Sequence, residues 1–258
     1  MSRGRPPALV HVVAAIGAVL ILLPLFAIAV RTPWGDAWSL LGQAGARRAL
    51  GRSLATSGVS VVLSVVVGLP MAWVLARSPF PGRAIIRGAT TLPMVLPPVV
   101  GGVALLLAFG RRGLAAPVLD LFGVRVPFTV AAVVLAQTFV AMPFLVVSVE
   151  AALERVDVRL EDAAATLGAG SWFAFRRVTL PIITPSVVAG AVLAWVRALG
   201  EFGATVTFAG TVAGRTVPVE VFLSLERGDL PAATALSVVL MAVSLAALVA
   251  LRRRWSPT

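Results

Sequence analysis

Six apolar runs separated by short polar stretches organise this chain, and each is long enough to cross about 30 Å of hydrocarbon as a helix. They extend from Ala8 to Val30, Ser53 to Ala76, Ala89 to Gly110, Pro127 to Val149, Thr184 to Gly210 and Pro231 to Leu251. Together they take up just over half the chain, and the remainder is short loops, so no separate soluble domain fits. The pattern predicts an all-α integral membrane protein, residues 1–258 forming one domain with six transmembrane helices. Arg3 and Arg5 before the first run, and Ala27-Ile28-Ala29 at its end, have features of a signal peptide. The apolar stretch exceeds the roughly 7 to 15 residues such segments use, so a retained helix is expected.

Six spans place both termini on one side. That side carries twelve arginines, the other nine, and Arg197 falls within a span. The closing Arg252-Arg253-Arg254 cluster, with Trp255 as an interfacial anchor, points to cytoplasmic termini. No internal repeat emerges: Leu92-Pro93 with Pro97 and Leu180-Pro181 with Pro185 are alike, but too short to establish an inverted pair.

Composition sharpens this picture by exclusion. The 258 residues are 59% hydrophobic and 13% charged, which rules out a soluble globular or a disordered chain. Cysteine is absent and His11 is the one histidine, so thiolate chemistry and an imidazole metal site are excluded, and no cofactor is expected. All 22 basic residues are arginine; a chain without lysine supplies no phosphate-loop lysine and no Schiff base. A net charge of +11 could suggest nucleic acid, but the arginines sit in short clusters between apolar runs, the placement that fixes membrane orientation.

The longest loop on the cytoplasmic side, Glu150 to Ile183, holds five of the eleven acids beside four arginines. Within it Leu160, Ala163, Ala164 and Leu167 recur at i, i+3, i+4 and i+7, predicting a short helix with a narrow stripe of small residues, ended by Gly168. Ser171 is placed to cap a second short helix carrying Trp172, Phe173 and Phe175. Such a stripe suits docking into a groove on another protein; a solvated connector lying on the membrane is the alternative.

Asp162-Ala163-Ala164, three residues, Gly168, nine residues and Val178-Thr179-Leu180-Pro181 together resemble a known signature, Glu-Ala-Ala-x3-Gly-x9-Ile-x-Leu-Pro. It belongs to the membrane subunits of bacterial binding-protein-dependent ABC importers; here Asp162 stands for Glu and Val178 for Ile. A literal Glu150-Ala151-Ala152 lacks the glycine six residues on and is a decoy. Leu92 to Gly102, Phe109-Gly110-Arg111-Arg112-Gly113 and Arg197 to Thr205 are similar to the molybdate permeases and their tungstate and sulfate relatives. The resemblance implies a homodimeric, channel-forming subunit with a separate ATP-binding cassette ATPase and an extracytoplasmic oxyanion-binding protein as partners. It also implies that a cytoplasmic helix between the fourth and fifth spans couples to the ATPase, through Glu161, Asp162, Ala163, Ala164, Gly168, Val178, Leu180 and Pro181.

The residues carry their own reading beside it. Pro93, Pro97 and Pro98 remove backbone donors inside the third run and Gly101 and Gly102 permit bending, so a broken or kinked helix is expected, lining a cavity or shaping packing. Arg197 and Glu201 share a helical face four residues apart; each would cost roughly 2.5 to 3.5 kcal/mol against lipid, so both should point into the bundle, as a neutralising pair or as part of a gate. Gly200 and Gly203 allow close helix approach. Pro97, Pro98, Arg197, Glu201, Gly203 and Thr205 are the candidate pathway or gate residues. Three functions compete: an ATP-driven oxyanion permease, an ion-driven transporter using Glu201, the one acid inside a predicted span, and an intramembrane enzyme, which would lack its nucleophile and metal ligands.

Overall fold

A computed structural model describes residues 7–253; Arg3, Arg5, Arg254 and Trp255 lie outside the described residues. Among these residues every regular element is a helix. In chain order they are α1 (Ala8–Arg31), α2 (Ala37–Gly42), α3 (Ala44–Arg77), α4 (Arg83–Val95), α5 (Pro98–Phe109), α6 (Ala116–Leu121), α7 (Val130–Arg155), α8 (Val158–Thr166), α9 (Ser171–Ala174), a π-helical turn (Phe175–Thr179), α10 (Leu180–Leu199), α11 (Gly203–Ala213), α12 (Val217–Glu226) and α13 (Leu230–Arg253). Five helical stretches are long and apolar enough to cross a membrane: α1, α3, α7, Ser171–Leu199 and α13.

The remaining predicted span, Ala89 to Gly110, is two helices. Proline forces its predecessor out of the helical region, and Leu96 before Pro97, then Pro97 before Pro98, take extended ψ values of 136° and 133°. The run from Thr184 to Gly210 also divides, at Gly200 to Phe202, so Glu201 lies at a break rather than inside a continuous helix. Hydropathy reads through both breaks because each is only two or three residues long within an otherwise apolar run.

Boundaries shift elsewhere. α3 has 34 residues and starts at Ala44 rather than Ser53, because a helix emerging from the membrane needs no apolar residues; Arg47, Arg48 and Arg52 are therefore helical, as are Arg83 and Arg87 of α4. α7 runs to Arg155, so Glu150 and Glu154 belong to it and the connecting segment starts at Val156. α2, α6 and α12 are short helices within what reads as loops.

α7 is the central helix. It packs along α3 and α10 and meets α4, α5 and α11. Its Ala141, Leu145, Val149 and Leu153 join Ala72 and Leu75 of α3 and Ile183, Ala194 and Ala198 of α10 in one apolar core. Its other end, through Ala132, Val133, Ala136 and Val140, clusters with Leu105 of α5 and Ala204 and Phe208 of α11. α3 presents a buried stripe at helical spacing, Ser53, Ser57, Ser60, Ser64, Gly68 and Ala72. Small side chains let the backbones approach, and the hydroxyls bind across helices: Trp195 Nε1 donates to Ser57 Oγ at 3.0 Å, Thr138 Oγ1 to Ser60 Oγ at 3.2 Å and the Val217 amide to Ser53 Oγ at 2.7 Å.

Candidate functional site

Two regions collect the candidate residues, one at the paired helix breaks and one at the α7–α10 connection.

At the breaks, α5 and α11 cross closely. A Cβ on Gly203 would lie 2.6 Å from Pro98 Cβ, and one on Gly102 would lie 2.6 Å from Thr207 Cβ, so both contacts require glycine. Gly200, by contrast, is exposed, and a Cβ there would meet only its own helix. Glu201 is 1% exposed, its Oε2 lies 2.6 Å from Arg197 Nη1, and its Oε1 accepts the Ala204 amide at 2.8 Å. One carboxylate thus neutralises the arginine of α10 and caps the first turn of α11, where the exposed amides favour negative charge. At the break Gly200 N–H donates to Val196 O and Glu201 N–H to Ala198 O. Thr205 is fully buried with no partner for its hydroxyl among the described residues, and the same holds for both amide atoms of Gln137 on α7, which no sequence motif marks. Pro97 and Pro98 are exposed.

In the α7–α10 connection, α8 ends in a Schellman motif. Gly168 has φ +84°, its amide donates to Ala165 O at 2.9 Å, and Ala169 N–H donates to Ala164 O at 3.0 Å. Asp157, not anticipated, caps the start by accepting from the Arg159 amide at 3.0 Å. The predicted cap at Ser171 is corrected: Gly170 holds the cap position and Ser171 is the first helical residue, with no capping bond from its side chain. Leu160, Ala163 and Leu167 are exposed and Ala164 half-buried, while Asp162 faces solvent beside them. Val178 lies in the π-helical turn, and Leu180 and Pro181 open α10, where a missing proline N–H costs nothing. Glu161 points inward and reaches Arg77 and Thr179. Glu150, the decoy, is engaged elsewhere: Arg87 Nε donates to it at 2.7 Å, and Arg87 Nη2 donates to Glu154 at 2.8 Å.

At the opposite end of the bundle a cavity of about 460 Å³ is lined by Arg111, Asp120 and Arg125 among apolar neighbours. Neither arginine has an ion-pair partner among the described residues. Arg215, by contrast, is bound to Glu220, which Arg227 also approaches at 3.0 Å. The Arg215 guanidinium, then Arg227, hold the Glu220 carboxyl below the usual range against an opposing effect of burial.

A bundle of broken helices with an exposed, motif-bearing connection at one end is the build of a transport permease, and comparison with known proteins agrees. The chain belongs to the family described as binding-protein-dependent transport system inner membrane component, whose sequence model matches residues 64–256. It is 49% identical over 242 residues to the molybdenum transport system permease protein ModB of Mycobacterium tuberculosis, covering 92% of this chain and 90% of that one. It is 35% identical over 232 residues to the sulfate transport system permease protein CysT of Escherichia coli K12, covering 88% and 84%. A bacterial ABC transporter that imports the acidic polysaccharide alginate superposes with a TM-score of 0.72 over 95% of this chain and 94% of that one, at 20% identity, a likeness of fold. The protein is a multi-pass membrane permease of the ABC importer type and a transport component rather than an enzyme.

Proposed function

We propose that this chain forms the transmembrane pathway for molybdate, working as a homodimer with a separate ATPase subunit on the cytoplasmic side and an oxyanion-binding protein outside. The observation that carries the substrate is the graded likeness, 49% identity to a molybdenum permease against 35% to a sulfate permease over similar lengths. Tungstate shares the chemistry of a tetrahedral oxyanion, and sulfate is the second reading, favoured by the CysT likeness. A chain without lysine leaves ATP hydrolysis to its partner.

In this reading both termini and α8 are cytoplasmic, and Asp162, Ala163, Ala164, Gly168, Val178, Leu180 and Pro181 with Glu161 form the ATPase-coupling element. Its exposed stripe of small residues supports docking. Arg111 and Arg125 then face outward, where positive potential favours an arriving anion. Pro97, Pro98, Arg197, Glu201, Gly203 and Thr205 form the pathway or gate, which carries too little fixed positive charge to hold the anion tightly, so specificity rests with the binding protein. An ion-driven mechanism needs an unengaged carboxylate on the pathway, and that of Glu201 is engaged by Arg197 and the Ala204 amide. Reconstituted with ATPase and binding protein, the chain should accumulate labelled molybdate only with ATP. Uptake indifferent to ATP, or equal uptake of sugars or cations, would overturn the proposal.

A further inference from the structure

The α8 segment is held to the membrane bundle by very little. α8 buries no residue, and among the described residues Glu161 makes the sole ion pair between the segment from Val156 to Thr179 and any other helix. Its Oε1 accepts from two sources at once, Arg77 Nη2 at 3.1 Å and Thr179 Oγ1 at 2.8 Å. Arg77 is the last residue of α3, and the same Nη2 donates to Val156 O at 3.3 Å, at the end of α7. One turn earlier, Trp73 of α3 stacks on Phe175 of the π-helical turn, ring centroids 4.2 Å apart. The foot of α3 therefore grips the connection through one aromatic contact and one ionic contact.

We infer that Glu161 is a positioning residue that converts displacement of α8 into simultaneous displacement of α3 and α10. This inference rests on reading α8 as the element against which the ATPase docks. Without the Glu161 carboxylate, a push on the exposed stripe would rotate α8 about its two chain connections alone. With it, the push arrives at Arg77 and Thr179 together, on the two helices that flank α7. α10 then carries it over 20 residues, roughly 30 Å at 1.5 Å per residue, to the break held by Arg197 and Glu201. A partly buried, charge-assisted fork suits this task, because both of its bonds are directional and neither partner is freely hydrated.

The test uses the complex with ATPase and binding protein in liposomes, and reads molybdate uptake per ATP hydrolysed. Glu161→Ala should lower that ratio about tenfold, the size of coupling that one contact of this kind can carry. Thr179→Val, which keeps the ion pair, should lower it about threefold. The exchanged pair Arg77→Glu with Glu161→Arg restores the ion pair but offers Thr179 no acceptor and Val156 O no donor from position 77, so it should recover part of the ratio, to no more than the Thr179→Val value. A lesion that is merely structural would lower uptake and hydrolysis together and would not be rescued by the exchange.

A ratio at the wild-type value in Glu161→Ala, or an exchanged pair no better than Glu161→Ala, would overturn the inference. If Glu161→Ala fails to assemble, a wild-type ratio in Thr179→Val does so. Hydrogen exchange on the solubilised chain provides a readout independent of substrate: Glu161→Ala should raise exchange in α8 and the π-helical turn and leave the core of α7 unchanged, and unchanged α8 protection would also overturn it. A wild-type complex that carries sulfate instead of molybdate overturns the substrate reading alone, and the ratio is then read on sulfate.

Discussion

Replacing Gly203 with alanine tests whether α5 and α11 are held at the separation their glycines allow. The new Cβ would lie 2.6 Å from Pro98 Cβ and 3.3 Å from both the Pro98 carbonyl carbon and the Val99 nitrogen. Non-bonded carbons rest at about 3.5–4.0 Å, so the helices must separate locally by roughly 1 Å. A proline ring cannot rotate aside, and the other two atoms are backbone, so relief requires moving α5 itself. Overpacking of this kind costs about 1–3 kcal/mol. Two controls calibrate the effect. At Gly68 the added Cβ would lie 3.1 to 3.2 Å from side-chain atoms of Leu145, Met142 and Val146, which can shift, so the cost should stay under about 1.5 kcal/mol. At Gly58, within α3, nothing lies within 4 Å, and alanine should be neutral or stabilising by up to about 1 kcal/mol. Thermal unfolding of the purified protein in detergent, followed by size-exclusion monodispersity, should rank Gly58→Ala at or above wild type, Gly68→Ala next and Gly203→Ala last. A midpoint for Gly203→Ala equal to that of Gly58→Ala would refute the close-contact reasoning.

Three further outcomes follow from the same geometry. Arg197→Met strands the carboxylate of Glu201 and should destabilise by about 3 kcal/mol, whereas the double variant Arg197→Met with Glu201→Gln should recover part of that loss; a double variant no more stable than the single would show that the two do not act as a pair. Ala163→Arg should abolish uptake and ATPase co-purification while leaving membrane insertion intact, and normal transport by this variant would remove α8 from the docking surface. Because its arginine partners lower the Glu220 pKa, the carboxylate stabilises the fold above the ordinary carboxylate value and loses that contribution as pH falls through the lowered one. Glu220→Gln should therefore be less stable than wild type near pH 7, with the gap closing below about pH 4, and a gap independent of pH would contradict the pairing.

The permease architecture was legible because the membrane demands it. Apolar runs of helical length mark the spans, and Pro97-Pro98 marks a break through the lost amide hydrogens. Gly168 marks the end of α8 through a left-handed conformation that a side chain would strain. The second break was not legible on hydropathy alone, since it interrupts an apolar run with two glycines and one acid, and its cause is tertiary: Gly203 ends against Pro98, and Glu201 supplies the cap. The serine stripe of α3 is likewise hidden despite its spacing of three and four, because serines in an apolar run leave the mean hydropathy high.

Arg77 is the least legible of these residues. By sequence it is one more loop arginine counted toward membrane orientation, and Glu161, although implied by resemblance as a coupling residue, lies 84 positions away with nothing to mark the two as partners. Their meeting depends on where α3 stops relative to α7 and on the π-helical turn that brings Thr179 to the same oxygen. Each is set by packing rather than by local pattern. On the proposed reading, motifs locate the surface a partner touches, whereas the residues that would carry its movement inward are fixed by helix ends meeting in space. That difference explains why Glu161 and the Asp162-Ala163-Ala164 signature are legible in the sequence while the partners of Glu161, Arg77 and Thr179, are visible only in the fold.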